Sequence, residues 1–169
     1  MVLMNRLLAL AVALLIISAS LGYAYHQQER EFEATLNGIL DVSNIAVFCL
    51  EDMNTIGIML DGNVSNDVLR ERLSRYAYCS LMLEKAAFSF YLLNEDERYW
   101  RLHVAASNLE VYLHTAMNSP NPDEVLSDDV KLLDEISREL GAILENGGVG
   151  ELSPARAERL FNLTQRLSS

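Results

Sequence analysis

The sequence predicts an all-α protein, with an N-terminal transmembrane or signal helix, an up-down-up-down four-helix bundle and a short fifth C-terminal helix. Apolar residues recur mainly at spacings of three and four, the period of an amphipathic helix, and no stretch alternates strictly as a half-buried strand does. Only three prolines and eight glycines interrupt the 169 residues. We therefore expect long helices joined by short turns.

The composition excludes several classes of protein. An apolar fraction of 50% with 22% charged residues is that of a chain that folds, unlike a disordered or collagen-like sequence. A net charge of −11 repels the phosphates of nucleic acids, so we expect no nucleic-acid partner. The length suits one folded domain with an attached anchoring segment.

The N-terminal segment determines the compartment. Residues 7–25 carry no charge and come close to the roughly 20 apolar residues that cross a bilayer. Arg6 precedes them and three glutamates follow, so the positive-inside rule places the rest of the chain outside. We predict that residues 1–25 form a single-pass anchor in the cell membrane, in contact with lipid through residues 7–25, and that residues 26–169 form an extracytoplasmic bundle.

The same segment also fits a cleaved signal peptide. Residues 7–17 form an apolar run of suitable length, and Gly22 and Ala24 are small residues at the spacing of a cleavage site. Cleavage near Ala24 would secrete the domain. Both interpretations export residues 26–169.

The first bundle helix is predicted over residues 27–60. Its apolar stripe starts at Phe32 and follows an alternating 4-3 spacing, and further apolar residues widen the face to suit two neighbouring helices. Residues 61–63 predict a turn, and a second helix, capped by a residue at 65–67, extends to about Leu93. The first stripe could instead pair with a second copy, so a homo-oligomer is an open alternative.

Three further helices complete the predicted bundle. The apolar stripe shifts phase after Leu93, which predicts a turn there, with Asn94 and Glu97 as a capping box for the third helix. The later boundaries are marked by proline and glycine: Ser119-Pro120-Asn121-Pro122 ends the third helix, Asn146-Gly147-Gly148 ends the fourth, and Ser153-Pro154 opens the last.

The two cysteines predict a disulfide. In an antiparallel hairpin of the first two helices, Cys49 and Cys79 lie at equal heights, because the midpoint between them falls inside the turn. Both flank an apolar stripe, and an exported domain meets an oxidising environment. The alternative is a pair of buried free thiols. The sequence contains no CxxC motif, so a redox role is not indicated.

The sequence indicates no catalytic, metal or cofactor site. His103 and His114 are eleven residues apart, about 16 Å along a helix, and so cannot share an ion. Glu110 and His114 could supply two ligands, but no second set accompanies them. We interpret this face as solvated and predict neither an enzyme nor a bound cofactor.

Three features remain as candidate surface sites. Asn63 and Asn162 each begin an N-glycosylation tripeptide. Tyr99 and Trp100 form a candidate contact surface if they are exposed near the turn. Residues 123–151 carry nine acidic and two basic residues, which predicts a solvated negative face or a site for cations or basic partners.

These observations predict a non-catalytic interaction or accessory module, a subunit of a cell-surface or membrane complex. The layout is similar to the sensing part of bacterial chemoreceptors and other four-helix sensor domains, without a shared motif and without a second span that would return the chain inside. The alternative is a sensor-like or secreted four-helix bundle that binds a small ligand in an aromatic-lined core, between residues such as Tyr76, Phe90 and Trp100.

Overall fold

The computed structural model describes the backbone of residues 2–167 and the side chains of residues 14–167. Across this part of the chain the protein is all-helical and contains no strand, which confirms the all-α prediction. The helices are α1 (Val2–Glu51), α2 (Thr55–Asp61), α3 (Asn66–Asn94), α4 (Glu97–Asn118), α5 (Pro122–Glu145) and α6 (Pro154–Thr164), with 3-10 turns at Asp52–Asn54 and Val149–Glu151.

The chain divides into two compact units, Met1–Gly38 and Ile39–Ser169. In the first, large apolar side chains of α1 from Leu14 onward are exposed, with Leu15 at 71% and Tyr23 at 72%. The described helix from Leu14 onward is long and apolar enough to cross a membrane, and a signal sequence would meet the same criterion. The side chains of residues 7–13, part of the predicted span, lie outside the described residues.

The second unit contains the core. α3 packs along α4, α6 packs against α4 and α5, and α2 packs against α5. The apolar stripes predicted from the sequence supply its fully buried large side chains, which include Leu50, Met53, Ile56, Leu73, Tyr76, Leu83, Phe90, Leu102, Leu113 and Leu126. The amphipathic pattern therefore positions each of these helices by burying its apolar face.

The helix predicted over residues 27–60 is interrupted, because α1 ends at Glu51 and a 3-10 turn precedes α2. At this point, side-chain hydroxyls donate hydrogen bonds to the backbone carbonyls. The hydroxyl of Ser137 donates to the carbonyl of Glu51 at 2.5 Å, and that of Thr55 donates to the carbonyl of Asp52 at 2.8 Å. Such bonds compete with the helical ladder, which accounts for the change of helix type.

The predicted turn between α3 and α4 is present, but its cap differs from the prediction. Asn94 is the last residue of α3, and Glu95 adopts a left-handed conformation with φ 51°. The residue that caps α4 is Asp96, whose carboxylate accepts a hydrogen bond from the Arg98 amide at 2.9 Å. The predicted Asn94–Glu97 capping box is therefore wrong, since the chain needs two residues to reverse direction.

The remaining predicted boundaries are confirmed. α4 ends at Asn118, just before the Pro120 and Pro122 signals. Gly147 and Gly148 follow α5 with φ 98° and 82°, conformations that favour glycine. The Ser153 side chain accepts from the Arg156 amide at the start of α6, as an N-cap does.

Cys49 and Cys79 form the predicted disulfide, with their sulfurs 2.12 Å apart and their Cα atoms 6.3 Å apart. Around the bridge, α1 and α3 run antiparallel: Asp52, further along the chain than Cys49, contacts Tyr76 and Arg72, which precede Cys79. A disulfide that closes a loop of this length contributes about 3.6 kcal/mol to stability on the chain-entropy model. It also indicates an oxidising compartment.

Candidate functional site

An aromatic surface lies where α3 approaches α4. It consists of Phe88 and Tyr91 on α3 and of Trp100 and His103 on α4, with ring centroids 5.3 Å apart for Tyr91–Trp100, 5.2 Å for Trp100–His103 and 5.0 Å for Phe88–His103. Phe88 and Trp100 remain 36% and 39% exposed. The rings thus hold one another in place while one side of the group is open to solvent.

Tyr99 does not belong to this surface. It is 6% exposed, its ring stacks on Phe90 with centroids 4.9 Å apart, and its hydroxyl donates to the carbonyl of Gly150 at 3.4 Å. Burial raises the pKa of the Tyr99 phenol. One residue along a helix is a rotation of about 100°, so Trp100 points outward while Tyr99 points into the core. Of the two residues, only Trp100 meets the condition of exposure set for a contact surface.

A nearly buried carboxylate lies beside the aromatic surface. The Glu84 side chain is 11% exposed, and its Oε1 lies 3.6 Å from Nδ1 of His103 while its Oε2 lies 3.0 Å from Nζ of Lys85. His103 was interpreted as part of a solvated face, but its side chain is only 18% exposed. Sequence reasoning missed this contact because Glu84 comes from the neighbouring helix, 19 residues away.

The second histidine pairs within its own helix. Nε2 of His114 lies 3.3 Å from Oε1 of Glu110, one turn away on α4. Both side chains line a shallow groove together with Val111 and Val125. Within residues 14–167, no group of three or more histidine, cysteine, aspartate or glutamate side chains is placed to hold a metal ion.

The rings suggested as the lining of a ligand cavity are engaged by the protein itself. Tyr76 is fully buried, with its hydroxyl bonded to Asp52, and Phe90 is 2% exposed and stacked on Tyr99. The groove between α2 and α5 is lined by other residues, including Ile58 and Val130. Of the three proposed lining residues, only Trp100 faces solvent.

The two glycosylation candidates occupy different settings. Asn63 is exposed in the turn between α2 and α3, where it has φ 50°. Asn162 is exposed on α6, and its amide donates to Glu158 at 3.2 Å. A glycan needs an accessible surface position, and a turn is less constrained than a helix, so Asn63 is the better placed of the two.

The acidic region around α5 is partly neutralised by arginines. Asp134 pairs with Arg138 at 2.9 Å, and Glu139 pairs with Arg159 of α6 at 3.0 Å. These pairs leave the region negative but engage some of its carboxylates within the fold. Comparison with protein-family models, with curated proteins and with solved structures gave no match for the chain.

Proposed function

We propose that the protein is a membrane-anchored, extracytoplasmic helical bundle that acts as a non-catalytic interaction or accessory module of a cell-surface or membrane complex. The observation that carries this proposal is that one chain combines a helix long and apolar enough to cross a membrane with a disulfide-bonded helical unit. The disulfide suits an exported domain, and the charges that flank the apolar segment favour an external location.

The helices are proposed to form an up-down-up-down bundle, with α1 and α2 together as the first member and α6 as the short fifth helix. Two local relationships support this topology. The Cys49–Cys79 bridge joins antiparallel stretches of α1 and α3, and the Phe90–Tyr99 contact lies near the tight turn between α3 and α4. Short connections of this kind favour antiparallel neighbours.

The interaction role rests on the aromatic surface. Trp100 keeps 39% of its area exposed, and Leu92 on the adjoining part of α3 is 63% exposed. Tryptophan is enriched among residues that dominate binding energy, because a large rigid ring is covered at little cost in conformational entropy. We propose that this surface contacts a protein partner in the same membrane or at the same cell surface.

The first test is the intact mass of the protein recovered from its native membrane and medium without reductant. We expect a membrane-bound species that retains residues 1–25 and lacks the two hydrogens lost on forming the disulfide. A species in the medium that begins near Tyr25 would contradict the anchor and support a secreted protein. A mass with both thiols intact would contradict export to an oxidising compartment.

The second test concerns the partner. We expect Trp100→Ala to abolish co-purification of a protein partner after mild cross-linking in membranes. Val111→Ala is the matched control, because Val111 is also exposed on α4, at 56%. Equal loss in both variants, or no loss in either, would contradict the role of the aromatic surface.

A further inference from the structure

A second set of apolar side chains is exposed on the α1–α3 pair. Ile45 and Phe48 on α1 are 62% and 68% exposed, and Tyr78 on α3 is 64% exposed. The residues that follow the two aromatics are the bridged, nearly buried Cys49 and Cys79. Large rings that remain this exposed beside a buried disulfide are typical of a surface that another molecule covers.

These side chains share one face of the helix pair. Each aromatic residue precedes its cysteine by one position, a rotation of about 100°. Because the two helices run antiparallel, the rotations are mirrored, and Phe48 and Tyr78 turn to the same side of the pair. Ile45, one turn before Cys49, and the half-exposed Met82, one turn after Cys79, extend this side. We call Ile45, Phe48, Tyr78 and Met82 the α1–α3 face.

Opposite charges border the α1–α3 face. Asp41 on α1 and Arg75 on α3 are exposed, and their side chains make no hydrogen bond or ion pair with another described residue. Asp52, in the 3-10 turn that follows α1, and Lys85 on α3 pair within the chain with Arg72 and Glu84, but their side chains remain 37% and 67% exposed. These two acidic groups thus lie on α1 and in the turn that follows it, and these two basic groups lie on α3.

The heights of these groups match in pairs. In antiparallel helices, residues at one height have sequence numbers that add up to a constant, and the bridged cysteines set that constant for α1 and α3. The sequence numbers of Asp41 and Lys85 add up to within two of that constant. Those of Asp52 and Arg75 add up to within one of it. A residue spans about 1.5 Å of helix, so each acidic group lies within about 3 Å of the height of a basic one.

We propose that the α1–α3 face docks a second copy of this chain about a two-fold axis parallel to the helices. This operation places α1 of each copy against α3 of the other and leaves all heights unchanged. Phe48 then meets Tyr78 of the other copy, and Ile45 meets Met82. The carboxylates of Asp41 and Asp52 come to the heights of Lys85 and Arg75 of the other copy. A second copy is the occupant that the charges favour, since this chain carries both halves of the complementary pattern.

The parallel arrangement rests on the proposed anchor, because two chains inserted in one membrane share their orientation. The contact is small, since an aromatic side chain buries about 150–250 Å² when fully covered. Confinement to a membrane compensates by raising the effective concentration of one copy around another. We therefore expect the dimer in membranes at low expression levels.

The experiment places a photoreactive benzoylphenylalanine at Tyr78 of the full-length chain and irradiates the membranes that contain it. We expect a product of twice the 19.0 kDa chain mass, with the adduct mapped to α1 near Phe48. The same amino acid at Val111 on α4 is the matched control and should give no dimer. In chains that also carry Phe48→Glu, the dimer should fall about tenfold, whereas Ile58→Glu, at a 73% exposed position on α2, should not change it.

Folding of each variant is checked by helical content and by the mass of the intact disulfide. No dimer from Tyr78, an equal yield from Val111, an adduct on another helix or an adduct to a different protein would each overturn the proposal. Carbonate extraction of the same membranes tests the anchor separately. A cross-linked chain that carbonate releases would refute the anchor and keep the dimer, whereas a resistant chain without cross-link would refute only the dimer.

Discussion

The hydroxyl of Tyr76 on α3 lies 2.9 Å from a carboxylate oxygen of Asp52, just after the end of α1. The same hydroxyl donates to the Asp52 backbone carbonyl at 2.8 Å, and Arg72 binds the carboxylate at 3.1 Å. Tyr76 is fully buried. This contact therefore satisfies the polar groups at the point where α1 changes to a 3-10 turn, and it fixes that point against α3.

Tyr76→Phe should lower the free energy of unfolding by about 1–3 kcal/mol, because it removes a buried donor from the Asp52 carbonyl and carboxylate, which keep only Thr55 and Arg72 as partners. Urea denaturation followed by far-ultraviolet circular dichroism measures the change. Tyr78→Phe is the control, since that ring is 64% exposed, and should alter stability by no more than about 0.5 kcal/mol. Equal effects of the two substitutions would contradict the role of the buried hydroxyl.

Alkaline pH should unfold the domain through its buried tyrosines. Burial raises the pKa of Tyr76, Tyr99 and Tyr112, and the carboxylate of Asp129 adds to the effect at Tyr112. An unfolded phenol loses its proton near pH 10 (about its ordinary pKa) while the folded one keeps it, so stability is full below that pH and declines above it. Phenolate absorbance should show three of the seven tyrosines ionising only as helicity is lost. Ionisation of all seven with helicity intact would contradict this.

Asp96→Ala should destabilise the start of α4 by about 1 kcal/mol, because the carboxylate caps the helix at the Arg98 amide. Hydrogen bonds from the Arg98 side chain lower the pKa of Asp96. The stabilisation of the fold by this carboxylate is therefore complete above the ordinary aspartate pKa and is lost as the pH falls through the lowered pKa of the folded state. Urea denaturation at neutral and acidic pH should show the difference between variant and parent shrinking in acid. Asn94→Ala should have little effect on stability. A greater loss of stability from Asn94→Ala than from Asp96→Ala would support the capping box instead.

The double substitution of Cys49 and Cys79 by alanine should reduce stability by up to about 3.6 kcal/mol. Reductant should lower the stability of the parent protein toward that of the variant and leave the variant unchanged. Urea denaturation with and without dithiothreitol provides the comparison. Equal stability of the oxidised parent and the variant would show that the bridge does not constrain the unfolded chain.

Gly148→Ala should destabilise the turn after α5 by about 2 kcal/mol. Gly148 has φ 82°, and a Cβ there would come 2.6 Å from Oδ1 of Asn44, which accepts from the Val149 amide at 2.9 Å. Gly38→Ala is the matched control, because a Cβ at that helical position meets no atom within 4 Å. Thermal unfolding should show a lower melting temperature for Gly148→Ala and no decrease for Gly38→Ala.

Features that depend on local sequence were predictable. Proline and glycine mark the ends of α4 and α5, because their effects on the backbone act within one or two residues. The disulfide was predictable because one antiparallel hairpin brings Cys49 and Cys79 to the same height.

Features that depend on a neighbouring helix were not predictable. The interruption after Glu51 requires Ser137, 86 residues further along the chain. The contact between His103 and Glu84 likewise joins two helices.

The disulfide also makes residues 49–79 a covalent ring, and the exposed turn at Asn63 lies within it. A protease that cuts this turn would produce two fragments that travel together until reductant separates them. Shedding from a membrane would need a cut on the N-terminal side of Cys49, outside the ring. The position of the bridge thus divides the chain into a stretch where a cut releases the domain and a stretch where it does not.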